Sequence, residues 1–160
     1  MSEDFDPALP GTLKVISAAM GLGIALLSGI VVFTYVTNAR PATPEALRTV
    51  NVFTAITMGV ALAAIILSEI LWHALLKRAA AGAFAQKLAG AFIARMACRE
   101  GAALLGCVTA LLAAMSGVLR AYPAYWANLA PAVLFWSYLY LHWPTAENLK
   151  TEISEVLSAR

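Results

Sequence analysis

Four stretches of this chain carry no Asp, Glu, Lys or Arg: Val15 to Ala39, Thr49 to Ser68, Gly101 to Leu119 and Ala121 to Ala146. Each is about as long as the ~20 apolar residues that a ~30 Å hydrocarbon core demands of one helix. Lipid offers no partner for a free N–H or C=O, so a chain that buries such stretches in a bilayer must wind each into a helix. The expected fold is all-α: an integral membrane four-helix bundle and a single membrane domain. Spans are expected at about residues 13–37, 50–76, 97–119 and 124–143, with a tail over 145–160. The acidic start (Glu3, Asp4, Asp6) lacks the basic region of a cleavable signal, so the first span is expected to stay as an anchor.

Basic residues set orientation when counted in short loops. With four spans, one side holds Lys14, Lys77, Arg78, Lys87, Arg95, Arg99, Lys150 and Arg160, and the other only Arg40, Arg48 and Arg120. Both termini are therefore expected in the cytoplasm, and the Ala-rich composition suits a bacterial inner membrane. A net charge of +2 gives no reason to expect a nucleic-acid partner. The expected partners are the lipid bilayer and other membrane subunits, or further copies of the chain.

Between the second and third spans, Phe84, Leu88, Ala91, Phe92 and Met96 recur at helical spacing, while Lys87, Arg95 and Arg99 are expected to face elsewhere. This predicts an amphipathic cytoplasmic segment, lying on the membrane surface or, the preferred reading, extending the third span. After His142-Trp143-Pro144 a short C-terminal cytoplasmic helix is expected, with Thr145 as N-cap. Leu149, Ile153, Val156 and Leu157 form its apolar stripe, which either docks a partner or rests on the bundle or membrane.

Membrane helices associate through small residues that let backbones approach. The expected packing positions are Ser17, Gly21, Ala25 and Gly29 on the first span, Ala55, Gly59 and Ala63 on the second, and Ala102 and Gly106 on the third. The fourth span is aromatic. Trp126 and Trp143 suit the two interfaces, and Trp136 and Tyr138 are candidate partner contacts. Pro131 predicts a kink there. Cys98 and Cys107 lie nine residues apart on one helix and cannot bridge each other.

Ionisable groups at membrane depth are functional candidates. Glu69, His73 and Glu100 form a candidate proton or ion relay, with His73 four residues after Glu69 on the same face. His73 and His142 are the candidate ligands for a haem b or a metal ion, although no cofactor is predicted outright. The bland alternative makes all four interfacial residues, with Lys77, Arg78, Arg95 and Arg99 placed to pair with Glu69 and Glu100. No nucleotide loop, nucleophile–base pair or Cys/His cluster appears, so an enzyme is the less favoured class. The functions left open are an accessory or structural subunit of a larger membrane complex and a component of a proton or ion pathway.

The run Arg95-Met96-Ala97-Cys98-Arg99-Glu100-Gly101-Ala102-Ala103-Leu104-Leu105-Gly106-Cys107-Val108-Thr109-Ala110-Leu111-Leu112 resembles the carboxylate helix of rotary ATPase proteolipid subunits. A Glu there precedes small residues, a Gly six positions on and an apolar run. The resemblance implies that Glu100 is a proton-binding carboxylate. The chain is also similar to small uncharacterised bacterial four-helix membrane proteins.

Overall fold

A computed structural model describes residues 9–77 and 84–158. The described residues are all helix and connection: α1 (Leu9–Thr37), α2 (Pro44–Lys77), α3 (Phe84–Met115), α4 (Val118–Ala121), a 3-10 segment (Pro123–Leu129), α5 (Ala130–Leu141) and α6 (Ala146–Ser158). Three helices are long and apolar enough to cross a membrane: Leu9–Thr37, Pro44–Leu76 and Lys87–Met115. At 1.5 Å per residue α2 and α3 run for about 50 Å, well beyond a hydrocarbon core of about 30 Å.

The amphipathic stretch is the start of α3, which is unbroken from Phe84 to Met115. Leu88, Ala91, Phe92 and Met96 are buried as their spacing predicts. Arg95 departs from it: instead of facing away, it is 7 % exposed. Residues 78–83, with Arg78, lie outside the described residues, as do residues 1–8 and 159–160 and the side chains of Ile153, Val156 and Leu157.

The fourth apolar stretch is not one helix. Gly117, at φ 74°, turns the chain after α3. The short α4, the 3-10 segment and α5 then carry it back beside α3. Pro131 sits in the first turn of α5, where its missing N–H costs nothing. The expected kink thus takes the form of a change from 3-10 to α geometry. Together the 3-10 segment and α5 cover about 32 Å, from rises of about 2.0 and 1.5 Å per residue.

α3 is the central element, packed by α1, α2, the 3-10 segment and α5. Its seam with α2 recurs every three or four residues. On α2 it runs through Val50, Thr54, Thr57, Ala61, Ala64, Ser68 and Trp72. On α3 it runs through Arg95, Arg99, Ala102 and Thr109. Thr57 and Thr109 share a 2.7 Å hydrogen bond, and Ala61 and Ala64 pack on Ala102.

The small residues differ in what they face. A Cβ on Gly106 would stand 2.4 Å from the Asn128 carbonyl oxygen, and one on Gly21 3.0 Å from the Trp136 ring. Ala102 is buried. Gly29 and Gly59 have nothing within 4 Å, and Ala25, Ala55 and Ala63 are exposed. The α2 packing face is therefore rotated away from Ala55, Gly59 and Ala63. Its small contacts are the Thr, Ala and Ser residues of the seam.

At the Gly117 end each hairpin caps the other. Asn38 donates through Nδ2 to the carbonyls of Ala114 (2.8 Å) and Met115 (2.7 Å) in the last turn of α3. Arg120 donates to the Tyr35 carbonyl at 2.7 Å, near the end of α1, where a cation also complements the helix dipole.

Candidate functional site

The opposite end of the bundle holds the ionisable residues. Ser68 and Glu69 stand on α2, and Arg95 and Arg99, one turn apart, on the facing side of α3. Antiparallel packing brings the two pairs level. Arg95 grips Glu69 with Nη2 on both carboxylate oxygens, 2.8 Å each, and with Nε on Oε1 at 3.1 Å. Arg99 donates Nη2 to the same Oε1, and its Nε to the Ser68 hydroxyl at 3.1 Å. Ser68 in turn donates to the Ile65 carbonyl at 2.8 Å.

Aromatic rings close the cluster. The Arg95 guanidinium lies 5.0 Å from the ring centres of both Trp72 and Tyr138. Arg99 lies 3.8 Å from the Tyr138 centre. Both cations thus present a face to π-density, the favourable arrangement, while their edges donate to oxygen. His142 stacks on Tyr138 as well, with centroids 4.3 Å apart and planes at 16°. Trp72, Arg95, Arg99, Tyr138 and His142 together tie α2, α3 and the end of α5.

Below it, the apolar side chains of Leu13, Trp72, Leu76, Leu88, Phe92, Met96 and Leu149 form a continuous core. The tail helix closes this end. Thr145 caps it, accepting the Asn148 amide at 3.1 Å, and Leu149, 2 % exposed, inserts into the core.

The relay candidates do not form a chain. Glu69 is committed to two arginines, His73 is exposed, and Glu100 is half-buried. Among the described residues no hydrogen bond links any two of these three, and neither His73 nor Glu100 makes one at all. His73 and His142 share no hydrogen bond or ring contact, and no group of three or more His, Cys, Asp or Glu suited to a metal occurs among the described residues. Tyr138 and Leu149 are buried within the chain itself, so they offer no surface to a partner. Trp136, 42 % exposed, does. The side chain of Ile153 lies outside the described residues.

Sequence reasoning placed Arg95 and Arg99 near Glu69 but missed Ser68, Trp72 and Tyr138 as their partners. A signal was available. Arg95 and Arg99 continue the 4–3 spacing of Ala102, Gly106, Thr109 and Ala113, which puts them on the packed face. A guanidinium on a packed face requires acceptors and rings opposite.

Compared with known proteins, the chain matches no family model, no curated protein and no solved structure. Its function is therefore argued from the geometry alone.

Proposed function

We propose that this is a small polytopic membrane protein that serves as an accessory or structural subunit of a larger membrane complex. In this reading it crosses a bacterial inner membrane four times with both termini in the cytoplasm. The segment from Pro123 to Leu141 makes the fourth crossing, since its length matches a hydrocarbon core. The observation that carries the reading is the engagement of Glu69. A carboxylate gripped by two guanidiniums serves as a structural clamp, and shuttling a proton would require breaking that grip.

The outward face of α5 supplies the surface for a partner. Val133, Leu134, Trp136, Tyr140 and Leu141 are 62, 54, 42, 85 and 68 % exposed. Large amphipathic rings are the usual anchors of interfaces.

Native mass spectrometry after mild extraction from the native membrane tests this. Masses above 16.9 kDa that carry other proteins are expected, and they should disappear when Trp136 and Tyr140 are both replaced by Ala. A bare monomer, with a proton leak in vesicles that Glu69→Gln abolishes, would replace this reading with the proton-pathway one.

A further inference from the structure

Two polar pairs tie the 3-10 segment to α2. The Tyr125 hydroxyl donates to Asn51 Oδ1, and Asn128 Nδ2 donates to Thr54 Oγ1 at 3.1 Å. Residues three apart eclipse one another in a 3-10 helix, so Tyr125 and Asn128 share one face of the segment. Their partners on α2 are three apart as well, and the second pair stands deeper in the bundle than the first. Thr54 lies about 15 Å along α2 from Pro44. Gly106, which the Asn128 carbonyl approaches, lies about 14 Å along α3 from Met115. Both lengths are about half of a hydrocarbon core of about 30 Å.

The second pair is incomplete. Asn128 is fully buried, yet its Oδ1 accepts from no donor among the described residues. Thr54 Oγ1 receives the Asn128 Nδ2 proton, and the Thr54 hydroxyl proton goes to no acceptor among them. The next hydroxyls inward are committed: Thr109 donates to the Leu105 carbonyl at 3.0 Å, so Thr57 is the donor in its 2.7 Å bond with Thr109. A buried acceptor without a donor is costly, and lipid outside the bundle offers none. The amide edge of Asn128 and the Thr54 hydroxyl lack one member of a closed ring. That member must accept from the Thr54 hydroxyl and donate to Oδ1. Interchanging the nitrogen and oxygen of the amide reverses each bond of the ring and leaves the same member missing.

We infer that Thr54 and Asn128 bind a single water molecule near the middle of the membrane, admitted from the Gly117 end past Asn51 and Tyr125. Water both donates and accepts, as the ring requires, and two polar partners suffice to hold it. A cation would engage Oδ1 but not the Thr54 proton. Entry follows the polar pairs: Asn51 is exposed, Thr54 partly so, and Asn128 buried. This site stands whether or not the protein is a subunit of a complex.

The test uses the full chain in lipid nanodiscs and a water-soluble methanethiosulfonate, which modifies a thiol where water lets it ionise. Thr54→Cys is expected to gain the mass of one adduct over the wild-type chain, whose Cys98 and Cys107 set the background. Ala55→Cys and Ile56→Cys, at nearly the same depth on the exposed face of α2, should stay at that background. A second measurement uses the wild-type chain, isotope-labelled at asparagine only. The Asn128 side-chain amide protons are expected to show a nuclear Overhauser cross-peak to water, and this decides the matter if Thr54→Cys fails to fold. Thr54→Cys no more reactive than Ala55→Cys would overturn the site, as would an Asn128 amide without the water cross-peak.

Discussion

Glu69 is the residue on which most of the polar interior depends. Its carboxylate pairs with both Arg95 and Arg99. Glu69→Gln keeps the shape but leaves two guanidiniums facing each other across one amide. The expected cost is about 1–3 kcal/mol, the scale of hydrogen bonds to charged groups. It should fall in the lower part of that range because the Glu69 side chain is 38 % exposed. Chemical unfolding in detergent micelles measures it. Tyr138→Phe should cost less than Tyr138→Leu, because the Phe ring keeps a π-face for both arginines. At this scale the sequence was legible in kind but not in arrangement. A carboxylate and two arginines near one depth are visible in the letters. That Tyr138, some 40 residues further on, supplies the ring beside both cations depends on where the composite fourth segment returns.

Elements were more readable than the contacts between them. Runs without charge gave three long helices, because lipid leaves an apolar segment no other way to pair its backbone. The buried face at the start of α3 followed from its period, and so did the Thr145 cap. The faces by which α1 and α2 pack were harder. Both helices are rich in small residues on several sides, and only the neighbour decides which side is used. Gly59 and Gly106 separate the cases. Gly106→Ala drives a methyl against the backbone at Asn128 and should cost about 1–3 kcal/mol, as overpacking does. Gly59→Ala meets nothing and should be neutral, or stabilising by up to about 1 kcal/mol, because alanine loses less freedom in a helix. Paired thermal unfolding curves of the two variants check this, and equal losses would refute the assigned packing faces. The break before α5 was legible only as a proline. Its resolution into a 3-10 segment reflects the close approach at Gly106, which sets how near the chain around Asn128 can lie to α3.

For the whole molecule, the sidedness of the chain is the open question that geometry makes sharp. Four crossings put residue 160 on the same side as residue 1; three would put them on opposite sides. Reporter fusions at each terminus, active only in the cytoplasm, are expected to report alike. A disagreement would mean that the segment from Pro123 to Leu141 enters the bilayer without leaving on the far side. The structure gathers part of the positive charge, Arg95 and Arg99, into one cluster with Glu69.

The reciprocal capping at the Gly117 end bears on how such a chain is made. The last turn of α1 has the Tyr35 carbonyl, satisfied by Arg120, a residue that emerges from the ribosome some 85 residues later. The last turn of α3 depends on Asn38, synthesised long before it. The first hairpin therefore enters the membrane with a carbonyl that the second will bond, and it holds ready the donor that the second will need. Truncation after α2 should leave a hairpin open to proteases at residues 38–43, and supplying the second half as a separate polypeptide should close it.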